Sequence, residues 1–326
     1  MSTRRAEDYQ WDHGAQYFSP KTDEFARAVE EWRTNGLCEV WDAAHCVWSA
    51  EAGVAPDPKS EKAKRHVGIP GMNAICKGLL VPGSRGIDTR FETRAAARSN
   101  PLGGWTMEDG KTGADLGDFD FVISTDKTST ALHRQDLDRK LLDGFVKPAA
   151  AVRSYPSLAL MVATKKTHLE FDSLLLDGHP AFSWLARDDS KPGRHRDDGL
   201  ECWVAHAAPS FTQRLIDSSK KTRGKRYPNA FRSAIVRDLL PQFQTLVNEL
   251  KVGGEETEVL LAQGHRWGAA FPVAPFGAAG QFYLDREHAF AACGDYFTPF
   301  PGRVEGAWIS GSSLADELLR VGLQEP

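Results

Sequence analysis

Apolar residues recur every three or four positions in several stretches of the chain, and each such stretch predicts a helix. Between Thr22 and Gly36 the spacing of Phe25, Ala28, Val29 and Trp32, with Asp23 and Glu24 in the first turn and Gly36 as a stop, predicts an amphipathic helix. In HVGIPGMNAICKGLL, Gly68, Pro70 and Gly71 punctuate the start of a second helix, which presents Met72, Ile75 and Leu79 on one side. Ile235, Leu239, Phe243 and Leu246 predict a long helix over Phe231–Leu250, with Pro241 expected to kink or divide it.

Shorter apolar runs read as strands: DFDFVIST from Asp118, LALMVATKK over Leu158–Lys166 and ECWVAHAAP over Glu201–Pro209. The closing segment AFAACGDYFTPFPGRVEGAWISGSSLADELL parses as strand, glycine turn, loop and glycine-entered helix, with Val304, Ala307, Trp308 and Gly311 expected on one helix face. Residues 50–64, Pro82–Gly86 and RDDSKPGRHRDDG read as surface connections from their proline, glycine and charge content. No internal repeat or low-complexity tract is present.

Composition narrows the class. With 326 residues, 41% apolar and 10% aromatic, the chain can bury one large or two smaller cores. A formal charge of −4 gives no electrostatic reason to expect nucleic acid or an anionic membrane as a partner. Its five cysteines are scattered and form no C-x-x-C pair, so neither a disulfide framework nor a metal site is signalled, and Cys293 reads as a small buried apolar residue. No window approaches the roughly 18 apolar residues of a membrane span. A monomer in the cytosol or another reducing compartment is the expectation.

The strongest chemical signal is the last segment. A strand ending in Gly294-Asp295 and a helix starting at Gly302 bring a carboxylate and free backbone N–H groups to one sheet edge, an arrangement suited to phosphate or another anion and to sugar hydroxyls. Alone, that motif is common. Tyr17 and Phe18 follow a tight turn and read as core aromatics or as site residues. Trp184, Trp203, Trp267 and Trp308 read individually as packing, and His13 as a structural donor or a ligand contact. The basic run KKTRGKR reads as a solvated face.

Five blocks, WDHGAQYF (Trp11–Phe18), VGIPGM (Val67–Met72), WLARDDSKPGR (Trp184–Arg194), GHRWGAA (Gly264–Ala270) and CGDYF followed by GRVEGAWISG, occur in an order that resembles the renalase-like family of FAD-dependent oxidoreductases, and more distantly the amine oxidases. The resemblance implies an α/β fold: a discontinuous Rossmann-like FAD domain (residues 1–20, 67–130 and 259–326) and a sheet-based α+β substrate domain (residues 21–66 and 131–258). It places His13, Gly14, Ala15, Gly294, Asp295, Gly302, Arg303, Val304, Glu305, Gly306 and Ala307 at the flavin. Gln16, Tyr17, His265 and Trp267 become substrate-side candidates, with Trp184 and Arg266 nearby. The implied chemistry is hydride transfer from a small reduced substrate, such as a dihydronicotinamide isomer or an amine, to FAD, with reoxidation by oxygen. No catalytic triad and no metal are called for, because the flavin carries the redox work.

The chain departs from the family at its start. The family's opening strand, G-x-G-x-x-G turn and helix, about 30 residues that hold the pyrophosphate, have no counterpart, and MSTRR matches a stretch that is internal in the family. The expectation is therefore a cofactor domain truncated at its N-terminus. Two readings follow: an enzyme whose gene model begins late, or a catalytically inactive truncated paralogue that acts as a binding or scaffold protein without FAD.

Overall fold

The computed structural model describes residues 1–60, 62–80, 87–133, 135–221, 229–253, 255–273, 276 and 281–322. The expected turn at Pro82–Gly86 and most of KKTRGKR lie outside the described residues. In chain order the elements are β1 (Thr3–Ala6), β2 (Tyr9–Asp12), α1 (Asp23–Thr34), β3 (Cys38–Val40), β4 (His45–Ser49), β5 (Gly53–Pro56), β6 (His66–Gly68) and α2 (Asn73–Leu79). Next come β7 (Ala95–Ser99), β8 (Trp105–Asp109), β9 (Asp115–Phe119), β10 (Val122–Ser124) and α3 (Lys147–Ala151). They are followed by β11 (Ser154–Lys165), β12 (Ser173–Leu176), β13 (Phe182–Arg187), β14 (Leu200–Ala207), α4 (Pro209–Lys221), α5 (Asn229–Leu250) and β15 (Val259–Pro272). The chain closes with β16 (Tyr283–Asp285), β17 (Phe290–Ala292) and α6 (Val304–Val321). Among the described residues no helix is long and apolar enough to cross a membrane.

Two compact units divide this mixed α/β chain: residues 1–81 with 156–268, and residues 82–155 with 269–326. This division follows packing; the division by role expected above is a matter of function.

The first unit is built on a seven-stranded mixed sheet, order β15-β11-β14-β13-β12-β4-β5. Alternation along β11 sends Leu158, Leu160 and Val162 to one face, where Ile235, Leu239, Phe243 and Leu246 of α5 complete the core. Met161 and Ala163 go to the other face, against Trp11, Cys202 and Val204. Covered on both sides, β11 is an uninterrupted apolar run rather than an alternating one. Trp11 is anchored there by its indole N–H, which donates to the Val162 carbonyl at 3.1 Å. Helix α1 follows its sequence signals: Thr22 caps it by accepting from Phe25 N, and Phe25, Val29 and Trp32 are buried.

Two expectations change. Helix α5 runs unbroken through Pro241, which sits on its exposed side, so the backbone bond that proline removes faces solvent while the apolar face stays continuous. Residues 50–64 are not merely a connection: β5 pairs antiparallel with β4. Beyond it, Asp57, 4% exposed, forms an ion pair with Arg65.

The loop RDDSKPGRHRDDG, polar by composition, buries charged side chains in its first half: Asp188 and Lys191 are at most 1% exposed. Asp188, Lys191 and Arg194 close an ion network with Asp12: Lys191 and Arg194 each reach Asp188 at 2.8 Å, and Arg194 reaches Asp12 at 2.7 Å. Asp12 and Asp188 are at most 1% exposed. Burial alone would raise the Asp188 carboxyl, but Lys191 and Arg194 hold it below the usual carboxylate range. Two carboxylates and two cations balance, so no net charge is buried.

The second unit holds a three-stranded antiparallel sheet, β7-β8-β9, and a three-stranded sheet, β10-β17-β16, in which β10 and β17 are parallel. Phe290 and Ala292 of β17 join Trp105, Phe145, Tyr296 and Phe297 in one core. Ala291 and Cys293 face Leu314 of α6. The buried face of α6 is not the expected one. Glu305, Gly306, Ser310 and Leu314 are buried, Val304, Trp308 and Gly311 are half-buried, and Ala307 is exposed. Small residues at every fourth position allow close approach: a Cβ on Gly306 would lie 2.3 Å from the Phe300 carbonyl oxygen, and Ser310 Oγ accepts from Gly294 N at 2.8 Å.

Asp188→Asn leaves Lys191 and Arg194 buried with half their counter-charge, so the first unit is expected to lose about 3–5 kcal/mol of stability. Chemical denaturation of the variant checks this; a loss under about 1 kcal/mol would show that the network contributes little.

Candidate functional site

The residues singled out from the sequence fall into two groups, one in each unit. In the first unit the group begins where β2 ends. The Asp12 carboxylate accepts from Thr3 Oγ1 at 2.6 Å and from Met72 N at 3.0 Å, and its own N–H donates to Asp188 at 3.1 Å, so the chain leaves the strand in a fixed direction. The next carbonyl, that of His13, accepts from Trp267 Nε1 at 2.9 Å and from His206 Nε2 at 3.3 Å. The His13 ring stacks on Trp267 with centroids 5.1 Å apart and meets His265 edge-on at 4.5 Å. Gly14 passes so close to Trp267 that a Cβ would sit 3.3 Å from its ring.

Gln16 is turned inward. Its amide donates to the carbonyls of Asp12 and Gly14, tying the turn together, while Oε1 is buried without a partner among the described residues. Ala15 is half-buried. Tyr17 packs against Trp184 at 5.5 Å, with the Arg65 guanidinium over the Tyr17 ring at 4.7 Å. Phe18 goes elsewhere, into an aromatic cluster with Phe25, Trp32 and His66. Strand alternation separates HRW: His265 and Trp267 face His13, whereas Arg266 lies over the Phe231 ring of α5.

These imidazoles are neutral at pH 7. Burial, then the neighbouring His265, Arg4 and His206, push His13 down to about 3. Burial, then Arg4 and Arg232, push His265 down to about 4. His206, lowered by burial to about 4, was missed by the sequence reading, as was Arg65. The alternation of ECWVAHAAP puts His206 on the face opposite Ala205 and Ala207, but only the sheet register brings it beside Trp184. Neutral imidazoles and Trp267 form an aromatic patch, with the Arg65 guanidinium over the neighbouring Tyr17 ring, and such a surface suits a planar ring held by stacking and hydrogen bonds.

In the second unit, two residues beyond β17 lies Gly294, whose φ of 146° and close approach to Tyr296 (a Cβ would lie 2.9 Å from Cε1) require glycine. The Asp295 carboxylate accepts from Gly302 N at 2.8 Å, and burial raises its pKa. Gly302 has φ 72°, Arg303 is exposed, and α6 begins at Val304 rather than at Gly302, with Glu305 buried in its first turn. The Tyr296 hydroxyl is buried without a hydrogen-bond partner among the described residues. A cleft of ≈ 530 Å³, unnoticed in the sequence, is lined by Arg94, Lys111, Ser124, Thr125, Asp126 and Asp136 among others. It adjoins the carboxyl end of β10, where parallel strands place ligand sites. The strand followed by Ser-Thr-Asp was its only sequence signal.

No protein-family model matches the chain. Among solved structures it is similar to an oxidoreductase from Methanosarcina mazei (17% identity, TM-score 0.41, 68% of this chain and 48% of that one). It is also similar to a putative protoporphyrinogen oxidase from Exiguobacterium sp. 255-15 (10%, 0.45, 71% and 46%) and to reduced UDP-galactopyranose mutase (13%, 0.43, 68% and 45%). The chain spans just under half the length of each. Likeness of this degree establishes neither a family nor an activity.

Because the folded-state values of His13, His265 and His206 lie below the 6.5 of an unconstrained imidazole, the unfolded chain takes up these protons first. Stability is therefore fully present above that value and falls as pH drops toward 4, by at most about 1.4 kcal/mol per pH unit for each histidine. Denaturation curves at pH 7, 6 and 5 should show the decline, and His265→Gln should flatten it. A pH-independent midpoint over that range would rule out buried neutral histidines.

Proposed function

We propose that the chain is the binding framework of an FAD-dependent oxidoreductase of the renalase-like type, which passes a hydride from a small reduced substrate to the flavin and returns the electrons to oxygen. The observation that carries this reading is the Gly294-Asp295 strand end facing the entry to α6. What supports the fit is a strand-to-helix connection whose two positive-φ glycines pack against Tyr296 and Phe271, with the half-buried Asp295 carboxylate available to polyol hydroxyls. When bound, the flavin would supply the two-electron acceptor.

In this reading residues 1–20, 67–130 and 259–326 serve the cofactor, and residues 21–66 and 131–258 the substrate. His13, Gly14 and Ala15 take the cofactor role, with Gly294, Asp295 and the segment Gly302 to Ala307. Gln16, Tyr17, His265 and Trp267 take the substrate role. Neutral His13 and His265 add no positive charge of their own against a substrate ring that becomes more positive on losing hydride. Gln16 orients the turn by holding the Asp12 and Gly14 carbonyls. The substrate class that fits is a planar, uncharged reduced ring, a dihydronicotinamide isomer rather than an aliphatic amine, and the protein acts as a monomer in a reducing compartment.

Adding FAD to the purified chain is expected to give protein-bound flavin absorbance and a thermal midpoint raised by several degrees at saturating cofactor. Reduced nicotinamide isomers should then support oxygen consumption. A protein that stays colourless, gains no stability and consumes no oxygen would instead be the inactive binding protein.

A further inference from the structure

Arg65 is 7% exposed and is held by a chain of directed hydrogen bonds. Its Nη2 pairs with one oxygen of the Asp57 carboxylate, whose other oxygen accepts from Lys59 N at 2.9 Å. Its Nη1 donates to Ser173 Oγ at 3.0 Å, and Ser173 Oγ lies 2.8 Å from His45 Nδ1. His45 Nε2 lies 3.1 Å from the Trp41 carbonyl, which can only accept, so Nε2 carries the ring proton. Burial, then the charge of Arg65, lowers the His45 pKa, so the ring is neutral at pH 7 and Nδ1 is an acceptor. The Ser173 hydroxyl therefore donates to His45, which leaves its oxygen for the guanidinium. Asp57 and Ser173 are buried as well, so water does not compete and the guanidinium is held in one orientation.

That orientation sets the cation against two aromatic rings. The guanidinium carbon lies 4.7 Å from the Tyr17 ring centroid and 5.6 Å from that of Trp184, and the two rings meet at 5.5 Å and 42°. The ion pair with Asp57 is neutral as a whole, but its cationic member is the one over the rings. A cation on one face of an aromatic ring draws on its negative quadrupole, which leaves the ring a better partner for a neutral, electron-rich ring and a poor one for a second cation. Tyr17 is only half-buried, so part of it stays open to a ligand. Loss of a hydride, one proton with two electrons passed to the acceptor of the reading above, turns a neutral dihydronicotinamide ring into a pyridinium cation. Substrate and product thus differ at this surface by one positive charge.

We propose that Arg65 determines specificity on the substrate side: acting through Tyr17 and Trp184, it favours the neutral reduced ring and disfavours the oxidised cation. It touches the aromatic rings rather than the reacting atoms and is a positioning residue. The inference rests on the substrate reading above and adds to it the means by which substrate is told from product.

The test is equilibrium dialysis of the full chain against N-methyl-1,4-dihydronicotinamide and against the N-methylnicotinamide cation, two rings of similar shape and different charge. The variants are Arg65→Lys, the double variant Arg65→Met with Asp57→Asn, which leaves no buried carboxylate unpaired, and Tyr17→Leu; thermal midpoints report any folding effect. Wild type is expected to bind the reduced ring about tenfold more tightly than the cation, and Arg65→Lys to keep most of that preference. The double variant should bring the two affinities within about twofold of each other, chiefly by tighter binding of the cation, a change that lost packing alone does not produce. Tyr17→Leu, at a half-buried position, should lose the preference with Arg65 in place, and it carries the test if the double variant fails to fold. A wild type that binds both rings equally, an unchanged preference in the variants or a parallel weakening of both rings overturns the role of Arg65 and leaves the substrate reading intact. Failure of wild type to bind either ring overturns both.

Discussion

Four charges buried side by side set the frame of the first unit. Asp12 comes from the second strand of an N-terminal hairpin, and Asp188, Lys191 and Arg194 come from a loop more than 170 residues later, as the 176-residue separation of the Asp12–Asp188 bond records. Their mutual attraction offsets a large desolvation cost with the help of further hydrogen bonds: Thr3 and Met72 donate to Asp12, and Arg194 donates to the Gly68 carbonyl at 3.0 Å. The hairpin, the approach to α2 and the loop after β13 are therefore fixed by one cluster. The turn bearing His13 and Gly14 starts from its centre.

That cluster explains which parts of the molecule were legible in advance. Where an element meets the core with one apolar face, the pattern of residues sufficed: Thr22, Phe25, Val29 and Trp32 specify α1, and the run LALMVA specifies a strand covered on both sides. RDDSKPGRHRDDG misled because composition counts charges but not their partners, and Asp12 cannot be paired with Lys191 or Arg194 by any local rule. Helix α6 misled for a different reason. Helical spacing suggested Val304, Ala307, Trp308 and Gly311 as the packing face, whereas backbone proximity at Gly306 and Ser310 decides which side turns inward.

The candidate site shows the same division. His265 and Trp267 share a face by simple alternation, and Gly294-Asp295 is visible as a strand end, but His206 and Arg65 join the aromatic patch through strand register and a buried ion pair with Asp57. The cleft beside β10 is invisible in sequence because β7 and β10, which line it, are separate elements brought together only in the folded unit. Local pattern identifies groups able to do chemistry; the folded chain decides which of them share a neighbourhood.

One glycine carries a consequence for how β15 is assembled. Gly264 faces α5 on the same side as Arg266, and a Cβ there would fall 2.5 Å from the Arg232 carbonyl oxygen. Sliding the strand by a single residue would bring Gln263 or His265 against that backbone, and would turn Arg266 toward the histidines. Mispairing is thus rejected twice, by steric exclusion at one position and by misplaced charge at another. The tetrapeptide Gly-His-Arg-Trp works as an assembly checkpoint as well as a source of side chains.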